Sequence, residues 1–273
     1  MNKIFSIITL LFLSTCLFAA DIVNMKLGDF DVTAITIQYM NHKDSLFRYY
    51  GDKDIEDFLK QDGATASAIN VFYVNTGDHK ILFDTGINTE VLLKQLKSIK
   101  VDPKDIDIIC ITHMHFDHIA GLVNNAQKTF PNADIYISEE ELMANRNSQI
   151  LPICSDKIKS FAQNEQILPY IKTVPAFGHT DGHTMFEITS KGKKMLVWGD
   201  IIHAPIQFQD PNIYLTYDTD FEKALAVRTH LLYDYADTSE YIAGAHLLNC
   251  GIGQIQRNKN GFKFIPVQIF QKH

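Results

Sequence analysis

The apolar run Ile106-Asp107-Ile108-Ile109-Cys110-Ile111 opens directly into Thr112-His113-Met114-His115-Phe116-Asp117-His118. A chain that buries the first segment as a strand must deliver three imidazoles and a carboxylate to the edge of its sheet. Alternate side chains of an extended segment point the same way, so His113 and His115 can converge on one ion. The turn that follows swings Asp117 and His118 towards a second. Neutral imidazole and carboxylate suit zinc and other borderline divalent ions. A polar loop with incidental histidines is the competing reading, and the rest of the chain argues against it.

Three further segments end in residues of ligand type. Phe177-Gly178-His179-Thr180-Asp181-Gly182-His183-Thr184 lies between two strand-like runs, and its glycines permit a tight turn. Val197-Trp198-Gly199-Asp200 closes an apolar strand with a carboxylate, and Ala243-Gly244-Ala245-His246 closes another with an imidazole. In this order the motifs His-x-His-x-Asp-His, Gly-His-Thr, Gly-Asp and a late His resemble those of the metallo-β-lactamase superfamily, from about Asn70 to His246. The resemblance implies a four-layer αββα sandwich, an α/β fold. It assigns His113, His115 and His179 to a first metal and Asp117, His118 and His246 to a second, with Asp200 bridging. It also implies a supporting role for His183, and for Asp84, in Phe83-Asp84-Thr85-Gly86, the orienting of a ligand histidine.

Two ions held close need a shared anion to offset their repulsion, which suits a carboxylate at Asp200. Such a pair lowers the pKa of a bound water from about 16 towards 7. Asp117 beside it is a candidate proton shuttle to a leaving group. The expected cofactors are two divalent ions, zinc first.

The branch is read from departures. Zinc β-lactamases generally lack a bridging Asp at the position of Asp200. Glyoxalase II enzymes add a C-terminal helical domain, whereas the short stretch after His246 reads as strands. The ribonucleases carry insertions or basic surfaces not seen here. The segments Gly199–His203, Gln207-Phe208, Asp218-Thr219-Asp220 and Gly261–Val267 are similar to the branch of methyl parathion hydrolase and N-acyl homoserine lactonases. That branch implies a lactone or ester substrate, organophosphates as side substrates, secretion and a homodimer. Many lactonases place a Tyr three residues after the bridging Asp; here His203 stands there, either to hydrogen-bond the carbonyl or to line the pocket. The alternatives are a β-lactam or thioester hydrolase on the same site, a mononuclear-iron persulfide dioxygenase, and a metal-free binding protein. The intact Asp117, His118 and His246 set argues against the last two.

Composition bounds the remainder. The 273 residues are 46% apolar, enough for a sizeable core. A formal charge of −7 and the lack of clustered Lys and Arg argue against a nucleic-acid partner; Lys191-Gly192-Lys193-Lys194 reads as a solvated turn. Residues 1–20, positive then apolar then small, read as a secretory signal peptide, too short to span a bilayer. Residues 21–273 then form one domain in the periplasm or outside the cell, and lipoprotein anchoring at Cys16 is the weaker reading. Cys110 reads as a core residue, and an oxidising compartment leaves a Cys154–Cys250 bridge open.

Along the chain, residues 22–37 read as paired strands, 70–74 and 80–84 as a hairpin, and 89–99 as a helix capped by Thr89. A helix is expected near Leu122–Phe130, a strand at Ala133–Ile137, a helix from Ser138 and another near Phe221–Tyr235. The chain closes on a hairpin, Ile252–Gln256 with Phe262–Val267. The order suggests two βα halves packed sheet to sheet. Asn41–Thr65, aromatic and weakly periodic, reads as a surface excursion rather than a lid, and His42, His79, His230 and His273 as surface residues.

Overall fold

The computed structural model describes residues 21–267. The segment read as a signal peptide, Cys16 within it, and His273 lie outside the described residues. Two seven-stranded sheets form the frame. In the first, Ile22–Leu27, Phe30–Asn41, Ala66–Asn75 and Lys80–Phe83 run antiparallel to one another. Ile108–Cys110, Asp134–Ser138 and Ile158–Phe161 then continue it in parallel. The second orders Gln166–Leu168, Ile171–Pro175, Thr184–Ser190, Lys193–Gly199, Tyr241–Gly244, Ile252–Asn258 and Gly261–Pro266. Among the described residues only Lys193–Gly199 and Tyr241–Gly244 pair there as parallel strands.

The burial pattern explains the layering. Ile81, Phe83, Ile108 and Cys110 face inward and share a core with Phe186, Ile188, Val197 and Ala243 of the second sheet. Their neighbours Leu82 and Ile109 face outward onto Leu92 and Leu96 of the helix Thr89–Ser98. A strand covered on both faces must be apolar throughout, which is why 106–111 reads as a continuous run. On the far side, Leu231 and Leu232 of the helix Phe221–Tyr235 cover Leu196, Trp198 and Ile242. Helix, sheet, sheet and helix give the expected αββα sandwich.

Several local expectations are corrected. Thr89 does not cap its helix; the Asn88 side chain does, accepting from the Val91 N–H. No helix forms at Leu122–Phe130. A single 3-10 turn at Ala120–Leu122 leads into a two-stranded ribbon, Val123–Asn124 with Gln127–Lys128. Asn125 and Ala126 take φ of 49° and 59° at its tip, the left-handed pair that a tight hairpin turn needs. Cys154 and Cys250 form no disulfide, because they are buried in different cores, on the helix side and between the sheets.

Asn41–Thr65 is not a surface excursion. Its strand Phe47–Tyr49 pairs with Ile213–Leu215, and Phe47 and Ala64 share a core with Ala204, Ile206, Ile213 and Leu215. The segment therefore braces the loop beyond Asp200. His42 is buried with it, at 5% exposure, against the expectation of a surface residue. His79 is half-buried, its Nδ1 2.6 Å from the Tyr170 hydroxyl, while His230 is exposed and paired with Asp234 at 3.0 Å.

Candidate metal centre

All the ligand-type motifs arrive at one edge of the sandwich. Strand Ile108–Cys110 feeds His113, and His115 leads into the short helix Phe116–Ile119 that carries Asp117 and His118. The turn after Ile171–Pro175 carries His179, strand Lys193–Gly199 ends at Asp200, and strand Tyr241–Gly244 leads to His246. Backbone bonds stitch the edge together: the Thr184 N–H donates to the Thr112 carbonyl at 2.9 Å, and the Ala245 N–H to the Gly199 carbonyl at 3.2 Å.

The donor atoms of His113, His115, His179 and Asp200 lie within 4.8 Å of one another, as do those of Asp117, His118 and His246. Asp200 stands between the two sets. Its Oδ2 is 3.0 Å from His246 Nε2 and 3.2 Å from His179 Nε2, and its Oδ1 is 3.1 Å from His118 Nε2. All seven residues singled out as ligands are thus brought together. His203 joins them more closely than the sequence implied, with Nε2 3.2 Å from Asp200 Oδ2, in a third grouping of Asp200, His203 and His246.

Most of the outer nitrogens are tied. His118 Nδ1 lies 2.8 Å from Asp84 Oδ2, His179 Nδ1 2.9 Å from Asp218 Oδ1, His113 Nδ1 3.1 Å from the Thr112 hydroxyl, and His246 Nδ1 2.8 Å from the Ala68 carbonyl. Fixing the rear nitrogen of an imidazole sets its tautomer and aims the other lone pair forward. The inner atoms crowd on one another, and two of them, His118 Nε2 and Asp200 Oδ1, face each other buried with neither making an aligned hydrogen bond. Lone pairs that converge on a common point rather than on protons fit divalent ions.

The electrostatics have the same cause. Burial drives His113 well below the usual histidine range, with repulsion from His118 added. Burial opposes charge on Asp200, but His246, His118 and His113 hold it well below the usual carboxylate range. His179 is lowered by burial but raised more by Asp200 and Asp218, to about 9. Burial takes His42 and His203 down to about 4, so both are neutral at neutral pH.

His183 has the supporting role expected of it. Its Nδ1 donates to the Ala176 carbonyl at 3.0 Å and its Nε2 accepts the Asp200 N–H at 3.1 Å, which occupies both nitrogens. Gly199, at φ +57°, makes room for it: a Cβ there would sit 2.4 Å from His183 Nε2.

Four supports escaped the sequence reading. Asp218 holds His179 and is itself paired with the fully buried Arg228 at 3.3 Å. Glu141, buried at the start of helix Glu139–Ala144, accepts the N–H groups of Met114 (2.8 Å) and Gly182 (3.1 Å) and the Thr180 hydroxyl, tying the His113 loop to the His179 loop. Asn70 donates to the Gly244 and Leu247 carbonyls around His246. The fourth, His42, lines the cavity. Acidic residues in first helical turns are common, and only the tertiary pairing distinguishes Glu141 from Glu139 and Glu140 beside it.

The cavity above the cluster measures about 340 Å³ and is walled by Met40, His42, Phe116, Asp117, His203 and Tyr217. A larger groove of about 1070 Å³, lined by Phe58, Phe208, Phe262 and Phe264, reaches only His246 of the cluster. The smaller cavity holds the chemistry.

The family model of the metallo-beta-lactamase superfamily matches residues 64–243. The chain belongs to that superfamily. Among solved structures it is similar to the hydrolase AbOPH, at 26% identity and a TM-score of 0.84, covering 92% of this chain and 99% of that one. It is also similar to AidC, a dizinc quorum-quenching lactonase solved with the product N-hexanoyl-L-homoserine, at 28% identity and 0.80, covering 93% and 99%. Curated relatives match over shorter stretches. The exodeoxyribonuclease WalJ of Streptococcus pneumoniae is 38% identical over 88 residues, which is 32% of this chain and 32% of that protein. The hydroxyacylglutathione hydrolase of Buchnera aphidicola is 32% identical over 119 residues, 41% and 40%. The chain spans less than half the length of these two. The family, the hydrolase and lactonase neighbours and the His/Asp cluster place it among the metal-dependent hydrolases of the superfamily.

Proposed function

We propose that the protein hydrolyses a lactone or ester at two divalent ions, zinc first, with organophosphate triesters as side substrates. The observation that carries this is Asp200, a buried carboxylate flanked by two complete ligand sets. His113, His115 and His179 would hold one ion, Asp117, His118 and His246 the other, and Asp200 both. When bound, the ions supply Lewis acidity and a water acidic enough to ionise near neutral pH. Asp117, whose side chain is a quarter exposed to the cavity, takes a proton and delivers it to the leaving oxygen. His203, neutral and stacked on His246 at 5.0 Å, donates its N–H to the carbonyl oxygen as charge develops. Gln207 fixes it there by accepting the His203 and Ala204 backbone N–H groups at 2.8 and 3.3 Å. Export to the periplasm or the medium is part of the proposal and rests on the reading of residues 1–20.

Initial rates of zinc-loaded protein on lactones, aryl esters, phosphotriesters, thioesters and β-lactams test it. Lactones or esters should lead; thioesters or β-lactams leading would move the substrate class, and iron content with oxygen uptake would move the reaction class. Asp200→Ala should lose the paired ions and far more turnover than the about 10–100-fold typical of an outer supporting residue. His203→Ala should lower kcat and kcat/KM together on lactones by about 10²–10³, with metal content unchanged. Metal loss in that variant would make His203 a ligand, as its distance to Asp200 allows.

A further inference from the structure

Glu141 is a wholly buried carboxylate outside the ligand sets, and each side chain or N–H that meets its two oxygens is a donor. Oε1 takes the Gly182 N–H at 3.1 Å and the Thr180 hydroxyl. Oε2 takes the Met114 N–H at 2.8 Å and the Asn145 amide at 3.2 Å. Among the described residues neither oxygen is paired with a Lys or Arg. Each oxygen thus serves a different loop: Oε1 the turn that carries His179, Oε2 the segment that carries His113 and His115. The approach is close enough to dictate sequence, since a Cβ on Gly182 would sit 2.5 Å from the Glu141 nitrogen. Ser138 closes the contact, accepting the Glu141 N–H at 3.2 Å and donating to the Gly182 carbonyl at 3.0 Å.

These two loops supply all three histidines of one ligand set, His113, His115 and His179. Among the described residues Glu141 makes no hydrogen bond to Asp117, His118 or His246, and the His246 loop is fixed instead by Ala68 and Asn70. His115 needs outside support most. Its Nδ1 is the inward atom, 3.0 Å from both His113 Nε2 and His179 Nε2. His113, His118, His179 and His246 are each tied at the outer nitrogen, whereas His115 Nε2 has no hydrogen bond among the described residues. An imidazole without a rear anchor takes its place from its backbone, and the Met114 N–H on Glu141 holds that backbone. We infer that Glu141 is the positioning residue of the all-histidine ion: it sets the spacing between the His113–His115 segment and the His179 turn, and leaves the other ion to different supports. It acts through the two loops and touches neither ion nor substrate. The inference rests on the two-ion reading of the site and is independent of the substrate.

An amide cannot do both jobs. Glu141→Gln keeps the volume, but its NH2 end meets donors, so one of the two loops loses its acceptor. Cadmium-113 NMR of the full chain, titrated with cadmium against a competing chelator, follows each ion separately. Wild type should give two signals, the all-histidine site set apart from the site that includes Asp117. Glu141→Gln should weaken the all-histidine ion by about 10–100-fold, the usual range for an outer support, and leave the other where it was. Thr180→Val removes one donor and keeps the carboxylate, so it should weaken the same ion by about 3- to 10-fold, and Thr180→Ser should restore it. The Thr180 pair carries the test by itself if Glu141→Gln does not fold. Two ions weakened alike, or an all-histidine ion left unmoved, overturns the inference, because Glu141 would then support the fold and no particular ion. A wild type with one cadmium signal that Glu141→Gln weakens would keep Glu141 assigned and sink the paired-ion reading instead. A wild type that takes up no cadmium overturns both.

Discussion

His118 and His179 face Asp200 from opposite sides, and each is held from behind by a carboxylate, but the two carboxylates are secured in different ways. Asp84 behind His118 sits at a strand end, at φ 59°, and is satisfied locally by the Thr112 N–H and hydroxyl, both at 2.8 Å. No Lys or Arg is among its hydrogen-bond partners in the described residues. Asp218 behind His179 comes from the loop before the last helix and is balanced by Arg228, buried on that helix. Arg228 also donates to the Ile201, Pro211 and Ile213 carbonyls. One wing is therefore a neighbourly arrangement of adjacent strands. The other is a buried ion pair that welds the last helix, the loop beyond Asp200 and the His179 turn into one unit. A buried pair adds little net stability when whole but is costly when halved. The His179 wing should accordingly fail sharply and the His118 wing by degrees.

The largest effect expected is from Arg228→Met. It breaks the buried pair, leaving Asp218 with His179 alone, and takes one donor from each of the Ile201, Pro211 and Ile213 carbonyls, which should cost about 3–5 kcal/mol in a denaturant titration. Metal binding should weaken first at the His179 side. A variant as stable as wild type would break the comparison, since it would make the pair dispensable.

Asp218→Asn and Asp84→Asn come next, each expected to lower metal affinity about 10–100-fold. His118 and His179 are both raised by the carboxylates around them against burial, so the pH dependence of the ion-free protein tests each wing, the His179 wing first. His179 is raised to about 9 by Asp200 and Asp218 against burial, so it binds its proton more tightly folded than unfolded. That contribution is complete below about pH 6.5, the ordinary histidine value, and is lost as pH rises through about 9. Stability of ion-free wild type measured against Asp218→Asn should show the gap closing over that window. A gap that is flat, or widens with pH, would mean that Asp218 acts on His179 by position alone.

The difference between the wings also decides what could be read from the chain. Asp84 lies in a compact motif beside its strand, and its partners His118 and Thr112 belong to another compact motif, so both were legible in order. Asp218 and Arg228 are separated by a turn and two helical turns, and their partner His179 lies far upstream. Nothing in a helix whose residues alternate Lys, Leu, Val and Arg distinguishes one arginine destined for burial. The sandwich, its strands and the seven convergent residues followed from periodicity and motif, since strand ends bring ligands to an edge. His42 was misplaced on the surface for the same reason that Arg228 was overlooked. Its burial comes from the pairing of Phe47–Tyr49 with a strand more than 160 residues away, which no local pattern records.

The smallest change sharpens the local wing. Thr112 donates its hydroxyl to Asp84 Oδ2 and lies 3.1 Å from His113 Nδ1, so a single group steadies the support of one ion set and a member of the other. Thr112→Val keeps the shape, the β-branch and the backbone N–H that Asp84 accepts, and removes only the hydroxyl. The expected loss is about 1 kcal/mol, the ordinary worth of one hydrogen bond, because Asp84 retains two partners. Metal affinity should fall by less than about tenfold, well short of Asp84→Asn, and at both ions rather than one. If Thr112→Val instead matched Asp84→Asn, the hydroxyl and not the carboxylate would be what orients His118. The His118 wing would then hinge on one bond, as brittle as the arginine-backed wing across the site.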